Sequence, residues 1–424
     1  MPSFLPRRAA VAIVLLALAV RLGAGFWWQS RLPPGERFFF GDSDSYWTLG
    51  QRLARGESYE YQSTDRRVFR TPGYPLVLSA MFLVLGTDPP VMCGRALSAL
   101  LGAAAVALTI GWAGWLFDPR AGLLAGLIAA VYPGFVSLGV FVLSEAAFCP
   151  LMIAQLWLWG AASRSRSHRN RRLLSAAAGV AAGMATLVRP SWLLFTPFAW
   201  AVAVLSSHER RLQLAGGLVT MSLLVVVLVP WWIRNAVVIG RFVPTTLQAG
   251  ASLYDGLNPK ATGASDMRFV PIFTRELHAA EATQRDPLVG PFEYRLDQLF
   301  TTTAIDWARS HPRRVLELAG IKVLRLWNVW PNEAEFRSWG LRIVVLVTYL
   351  PLLLAGIYGA WKYVRSGWAY ALAALPAVYL TLLHTIFVSS IRYREPAMLA
   401  LIVLAAGAFS AASGQRKLNT VAAT

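Results

Sequence analysis

Cysteine, histidine and charge are all scarce in this 424-residue chain: two Cys, five His and a charged fraction of 15%. Two cysteines exclude a disulfide framework and a multi-cysteine zinc or iron–sulfur site. Cys93 and Cys149 read instead as small apolar packers. The charged fraction lies below the roughly 25% of ordinary soluble domains, while hydrophobic residues reach 56%. Mean hydropathy is +0.48. A soluble fold cannot bury that much apolar surface, and a disordered chain needs the opposite balance. No glycine-rich phosphate loop, internal repeat or low-complexity tail is visible. Acids are few as well, 22 against 40 Lys and Arg, for a net charge of +18. A nucleic-acid binder would gather such an excess on one soluble basic face. Here it sits in short clusters between apolar runs, which are topology signals, so no nucleic-acid partner is expected.

The chain therefore reads as an all-α polytopic membrane protein. Its apolar runs predict ten spans, at about 9–29, 92–116, 121–138, 141–162, 173–189, 191–206, 212–232, 341–361, 369–388 and 396–412. The first reads as an uncleaved span with Trp27 and Trp28 at its outer interface, because no small-x-small cleavage site follows it. With the N-terminus inside, Arg120, the run 164–172, Arg210 and Arg211, Lys362 and Arg365, and Arg416 and Lys417 all fall on the cytoplasmic side. Two long segments, 30–91 and 233–340, then fall outside. The Pro-flanked stretch 72–86 is too short for a comfortable span and predicts an interfacial or re-entrant helix. The expected organisation is a single transmembrane domain over 1–412, with a cytoplasmic tail over 413–424. The expected location is the cell (inner) membrane, multi-pass, with both termini cytoplasmic.

Chemistry concentrates in the first outer segment. Tyr46, Leu49 and Leu53 recur at helical spacing, so a short amphipathic helix should follow Asp44, with Asp42 ahead of it. Asp42 or Asp44 could simply cap that helix. Two acids, an aromatic residue and several Arg at the mouth of a membrane bundle also suit a base beside an anion-binding group.

The pattern Asp42, Tyr46, Leu53-Ala54-Arg55-Gly56, Tyr59 and Arg70-Thr71-Pro72-Gly73-Tyr74-Pro75 resembles the PMT-type (dolichyl-phosphate-mannose-protein mannosyltransferase-like) branch of the GT-C membrane glycosyltransferases. The lipid A aminoarabinose transferase belongs to the same superfamily. Ser144-Glu145, Leu187-Val188-Arg189-Pro190, Pro230 to Asn235, the stretch 250–259 and Arg392-Tyr393-Arg394 follow in matching order. Asp255 departs from the pattern, which has Gly there.

The resemblance implies a GT-C-like bundle with short interfacial helices in its outer loops, and an inverting transfer. A sugar on a polyprenyl phosphate would be attacked at C1 by an acceptor hydroxyl of a lipid, glycan or protein, on the periplasmic or extracellular face. Asp42 maps to the catalytic base, and Arg70 is the first choice for steadying the leaving phosphate. Glu145 should orient Arg70 or another cation, or act as a second catalytic carboxylate. Asp44, Tyr46, Tyr74, Arg189, Tyr254, Asn258, Arg392 and Arg394 are the further substrate-binding candidates. No cofactor is expected: without a diphosphate to clamp, the chemistry does not demand a metal, although a divalent ion is compatible with it.

Arg21 lies within the first span and needs a partner. His384 reads as a satisfied core histidine, and Trp327, Trp330 and Trp339 as an interfacial belt. The competing reading is a transporter or lipid flippase of envelope polysaccharide precursors, which would place its binding residues near the bilayer midplane on broken helices.

Overall fold

A computed structural model describes residues 4–33, 35–206, 209–283, 288–330 and 338–421, with side chains described from 7 to 410. Among these residues all regular structure is helical. The chain opens with α1 (Phe4–Gln29). The first outer segment holds α2 (Gly41–Ala54) and α3 (Gly73–Leu85). Then come α4 (Val91–Leu116), the bent pair α5 (Pro119–Val131) and α6 (Pro133–Val140), and α7 (Glu145–Arg164). They are followed by α8 (His168–Val188), a 3-10 turn (Pro190–Trp192) leading into α9 (Phe195–Ser206), and α10 (Arg210–Ile239). The second outer segment holds α11 (Ala249–Gly256), α12 (Val270–Thr283), α13 (Phe292–Ser310) and α14 (Pro312–Trp327). The chain closes with α15 (Trp339–Tyr363), α16 (Trp368–Ile386) and α17 (Ile391–Val421).

Seven described helices (α1, α4, α7, α10, α15, α16 and α17) are long and apolar enough to cross a membrane, and the bent pair makes an eighth candidate. The remaining two of the ten expected spans are helices that fall short of that standard. α8 opens on His168, Arg169, Arg171 and Arg172, which dilute its apolar content. The stretch Pro190–Ser206 is a shorter apolar helix, and its rise is only about 25 Å. α17 is the inner helix of the bundle. Every residue from Ala397 to Ala406 is buried, as suits a helix that is apolar all round. It also continues to Val421, past the expected boundary at 412. Residues 422–424 and the side chains of Arg416 and Lys417 lie outside the described residues.

The run 121–138, expected as one straight span, bends by 55° between α5 and α6. Pro133 has no N–H to continue the ladder and disfavours helix at Tyr132, which is extended at ψ 116°. The break leaves carbonyls for Arg21. Its guanidinium donates to Ala129 O at 3.0 Å and Ala130 O at 3.1 Å, and lies 4.5 Å from the Phe135 ring centroid. The intramembrane charge thus has main-chain acceptors rather than an acid. α7 likewise starts at Glu145 rather than near 141. The turn before it contains buried Val142 at φ 51°, a left-handed conformation that is strained for a β-branched side chain.

The two outer segments touch. Leu247 N donates to Val68 O at 2.9 Å, and Arg234 Nη1 donates to Arg67 O at 2.9 Å. At the opposite end, Arg164 lies over the rings of Trp115 and Tyr370, and Tyr370 OH donates to Leu116 O at 3.2 Å. The basic connectors therefore share one end of the bundle and the long segments the other. α3 is tied to α2 around both of its ends: Arg70 lies 2.6 Å from Asp42, and Gln51 Nε2 donates to Thr87 O at 2.6 Å. Thirteen residues are too few to span, and α3 lies along α2 as the interfacial reading expects. Trp27 faces outward, but Trp28 turns inward and meets Phe141 edge-on at 5.0 Å, so only one of the pair suits an interfacial belt.

This arrangement fixes a labelling pattern. In a background lacking Cys93 and Cys149, Gln62→Cys and Thr262→Cys should react with an impermeant thiol reagent from the same side of the membrane. Arg166→Cys and Val364→Cys should react only from the other. Labelling of 62 and 166 from one side would break the model.

Candidate active site

α2 begins at Gly41, so Asp42 occupies its first turn instead of preceding it. A carboxylate there is favoured by the helix dipole. Phe40 holds the cap position and no side chain caps the helix, so neither acid is spent on that role. Asp44 accepts a 3.0 Å hydrogen bond from Tyr61 OH. Asp42 faces two guanidinium groups: Arg70 Nη2 lies 2.6 Å from its Oδ1, and Arg392 Nη2 lies 3.2 Å from its Oδ2.

Arg392 also reaches Glu145, whose Oε1 is 2.9 Å from its Nε. The same oxygen lies 2.6 Å from Arg189 Nη1. Arg70, Asp42, Arg392, Glu145 and Arg189 thus form one chain of alternating charge with an excess of one cation. Burial pushes the Asp42 carboxyl up; Arg70 and then Arg392 outweigh it and hold the group well below the usual carboxylate range.

Several local features bring the chain together. Arg70 lies two residues before Pro72, which keeps the segment out of helix. Gly73 is required by close approach: a Cβ there would lie 2.6 Å from the Leu187 carbonyl oxygen. The start of α3 is thereby pressed against the end of α8, next to Arg189. Arg189 itself is extended ahead of Pro190. Arg70 Nε donates to Ser45 Oγ at 3.2 Å, and its guanidinium lies 5.2 Å from the Tyr46 ring centroid.

A cavity of about 1410 Å³ opens beside this chain. Asp42, Ser45, Arg70, Arg392 and Arg394 line it. Its apolar side includes Trp28, Phe40 and Phe141, with Phe40 meeting Phe141 edge-on at 5.1 Å. The second outer segment adds Gln248, Glu293 and Asp297 among apolar residues such as Leu247, Phe292 and Phe300. Burial raises both of those acids, Glu293 to about 7 and Asp297 to about 6, against the backbone amides that they accept from.

The expected residues divide between the cavity lining and the packing behind it. Of the two alternatives for Glu145, Arg70 or another cation, its contacts are with the second kind, Arg189 and Arg392, and it stands behind the cavity. Asp44, Tyr46, Tyr74, Arg189, Tyr254 and Asn258 are also absent from the lining. Tyr46 OH donates to Ser144 Oγ at 3.4 Å, and Tyr74 is buried edge-on behind Tyr46. Tyr254 packs among Phe269, Phe273 and Phe300, while Asn258 donates back to Tyr254 O at the end of α11. Arg394 sits two residues beyond Arg392 on a helix, hence on a different face. It is buried, bonding the carbonyls of Leu326 and Asn328 over the Tyr349 ring. His384 donates Nδ1–H to Val388 O and stacks on Tyr393, behind these two lining residues rather than in the cavity wall itself. Glu293, Asp297 and Ser45 were not foreseen, and no periodicity marks them.

Among the described residues no three His, Cys, Asp or Glu side chains group to hold a metal ion. Asp42 is already taken by two guanidinium groups, so this site does not present a metal with a ligand set.

Residues 70–233, starting at Arg70, match the family model described as dolichyl-phosphate-mannose-protein mannosyltransferase. The fold matches the oligosaccharyltransferase of Archaeoglobus fulgidus in its apo form, with TM-score 0.58 and 14% identity over 99% of this chain and 52% of that one. The chain shares the fold of that archaeal protein. The same archaeal protein in complex with an inhibitory peptide and a dolichol-phosphate gives TM-score 0.56 and 13% identity, again over 99% and 52%. The chain spans about half the length of the archaeal proteins it matches. ArnT from Cupriavidus metallidurans, bound to undecaprenyl phosphate, aligns over 94% of this chain and 76% of that one at 18% identity. Its TM-score of 0.45 is too low to support an argument from shared fold. No curated protein matches the sequence.

Glu145 is only 1% exposed, so its removal should be costly. Glu145→Ala leaves Arg189 buried without its carboxylate and Arg392 with Asp42 alone, a change worth about 3–5 kcal/mol. Thermal unfolding in detergent should show a clear loss of stability, larger than for Asp44→Ala. Equal melting temperatures for Glu145→Ala and the unaltered protein would contradict the ion-pair chain.

Proposed function

We propose that this protein is an inverting glycosyltransferase that moves a sugar from a polyprenyl-phosphate donor to an acceptor hydroxyl on the outer face of the membrane. The observation that carries the reading is Asp42 held between Arg70 and Arg392 at the edge of a large, part-aromatic cavity. The family match and the archaeal protein of like fold, which is seen with a dolichol-phosphate, support a lipid-phosphate donor.

The acceptor oxygen attacks C1 from the side opposite the lipid phosphate. The new C1–O bond forms as the C1–O–phosphate bond breaks, and the phosphate leaves with the electron pair. Asp42 takes the hydroxyl proton, a contribution of about 10²–10⁴-fold. Arg70 and Arg392 face the charge that grows on the phosphate and so stabilise the transition state more than the ground state.

A carboxylate gripped by two guanidinium groups is a weak base. The incoming phosphate competes for those same cations. As they turn to it, their hold on Asp42 loosens and its proton affinity rises. The donor thereby arms the base. Glu145, itself paired with Arg189, holds Arg392 from behind and serves as a positioning residue.

The basic connectors lie at the end opposite the site, and the positive-inside rule assigns that end to the cytoplasm. The transporter reading is disfavoured because the charged groups gather at one end of the bundle rather than at its middle.

Asp42→Asn keeps the shape and removes the base. Mass analysis of product from polyprenyl-phosphate sugars should show transfer reduced by about 10²-fold or more, with the protein still expressed and folded. Near-normal turnover would sink the assignment. In the unaltered protein, the pH profile of kcat, which reports the loaded enzyme, should show an acid limb that kcat/KM lacks. The sign follows from Asp42: depressed in the free site, it stays ionised as pH falls, and it protonates at higher pH once its cations are shared. Identical acid limbs in both profiles would contradict that sharing.

A further inference from the structure

We infer that Glu293, on α13 of the second outer segment, is a positioning residue that fixes Arg70 from the far side of the cavity. The inference rests on the reading above, in which Arg70 meets the donor phosphate. Glu293 Oε2 accepts from Arg67 N at 2.8 Å and from Val68 N at 3.0 Å, and its Oε1 lies 3.2 Å from Val68 N. The carbonyls of the same two residues are taken as well, Arg67 O by Arg234 Nη1 and Val68 O by Leu247 N. Each main-chain donor and acceptor of Arg67 and Val68 is therefore bound by the end of α10, the loop after it, or α13. Val68 is buried in a small apolar cluster with Trp231, Ile239, Val243 and Leu247.

The far side of Arg70 is fastened too. Tyr59 OH lies 3.2 Å from both Arg70 O and Thr71 O, and Pro72 follows. Phe69 and Arg70 are thus a short step between two anchored points, with the Arg70 side chain left to move.

That anchorage has a mechanical purpose. The Arg70 side chain must swing from Asp42 toward phosphate while its Cα stays still; otherwise the pull would drag the segment and widen the site. A buried carboxylate is an expensive fastener, because ionised groups resist leaving water. Two amides converge on Oε2 of this one side chain, so a single acceptor oxygen fixes two consecutive residues.

The test measures binding of undecaprenyl phosphate to the purified full-length protein by quenching of intrinsic tryptophan fluorescence. Melting temperatures are recorded for every variant. Arg70→Ala should weaken binding. Glu293→Ala should weaken it by about tenfold, as for a lost hydrogen bond. Glu293→Gln should bind as the unaltered protein does, because one amide oxygen can accept both N–H groups. In the Arg70→Ala background, Glu293→Ala should cost nothing further. If Glu293→Ala does not fold, Glu293→Asp replaces it; one methylene shorter, it should release the amides and weaken binding. Additive losses would overturn the inference, since a merely structural role adds to the loss of Arg70. So would unchanged binding by Glu293→Ala, or a Glu293→Gln variant as poor as Glu293→Ala. No binding by the unaltered protein, or normal binding by Arg70→Ala, would instead overturn the proposed function and the inference with it.

Discussion

Two carboxylates must share three guanidinium groups at one end of a membrane bundle. Every member of the chain Arg70, Asp42, Arg392, Glu145 and Arg189 depends on its neighbour, because a buried charge without a partner is costly. The five residues come from the first outer segment, α2, α17, α7 and the end of α8. No two of them are closer in sequence than Asp42 and Arg70. The surrounding fold is organised to let them meet. Gly73 lets α3 press against the end of α8, the turn at Val142 starts α7 at Glu145, and inner α17 delivers Arg392. In the proposed mechanism, the excess cation attracts phosphate, and the same excess restrains the base until phosphate arrives.

The cavity follows the same logic. Near the charged chain its wall is aromatic, with Trp28, Phe40 and Phe141 suited to the apolar neighbourhood of a lipid donor. The second outer segment adds Gln248, Glu293 and Asp297 among apolar neighbours such as Phe292 and Phe300. In the proposed mechanism, Glu293 ties this segment to the one that carries Arg70.

Much of this is legible in the sequence. Asp42, Arg70, Glu145, Arg189 and Arg392 all lie in short motifs, and the alternation of basic connectors places both outer segments at one end. That placement is what the contacts of Val68 with Leu247 show. What was not legible depends on direction and distance. Arg392 and Arg394 look equivalent as letters, yet one helical step of about 200° separates them, and only Arg392 joins the charged chain. Tyr254 and Asn258 fit the motif but fold into an aromatic nest and a helix end. The bend before Pro133 was hidden in an apolar run, although the proline itself was visible. Glu293 lies more than two hundred residues from the amides that it holds, and no local pattern reports such a contact.

The central claim is that one set of guanidinium groups serves both base and phosphate. A structure of the full-length protein with undecaprenyl phosphate bound tests it most directly. The account predicts the phosphate within hydrogen-bond reach of Arg70 or Arg392, and the present 2.6 Å contact between Arg70 and Asp42 lengthened or broken. A phosphate bound elsewhere in the cavity, with both Asp42 ion pairs intact, would contradict it.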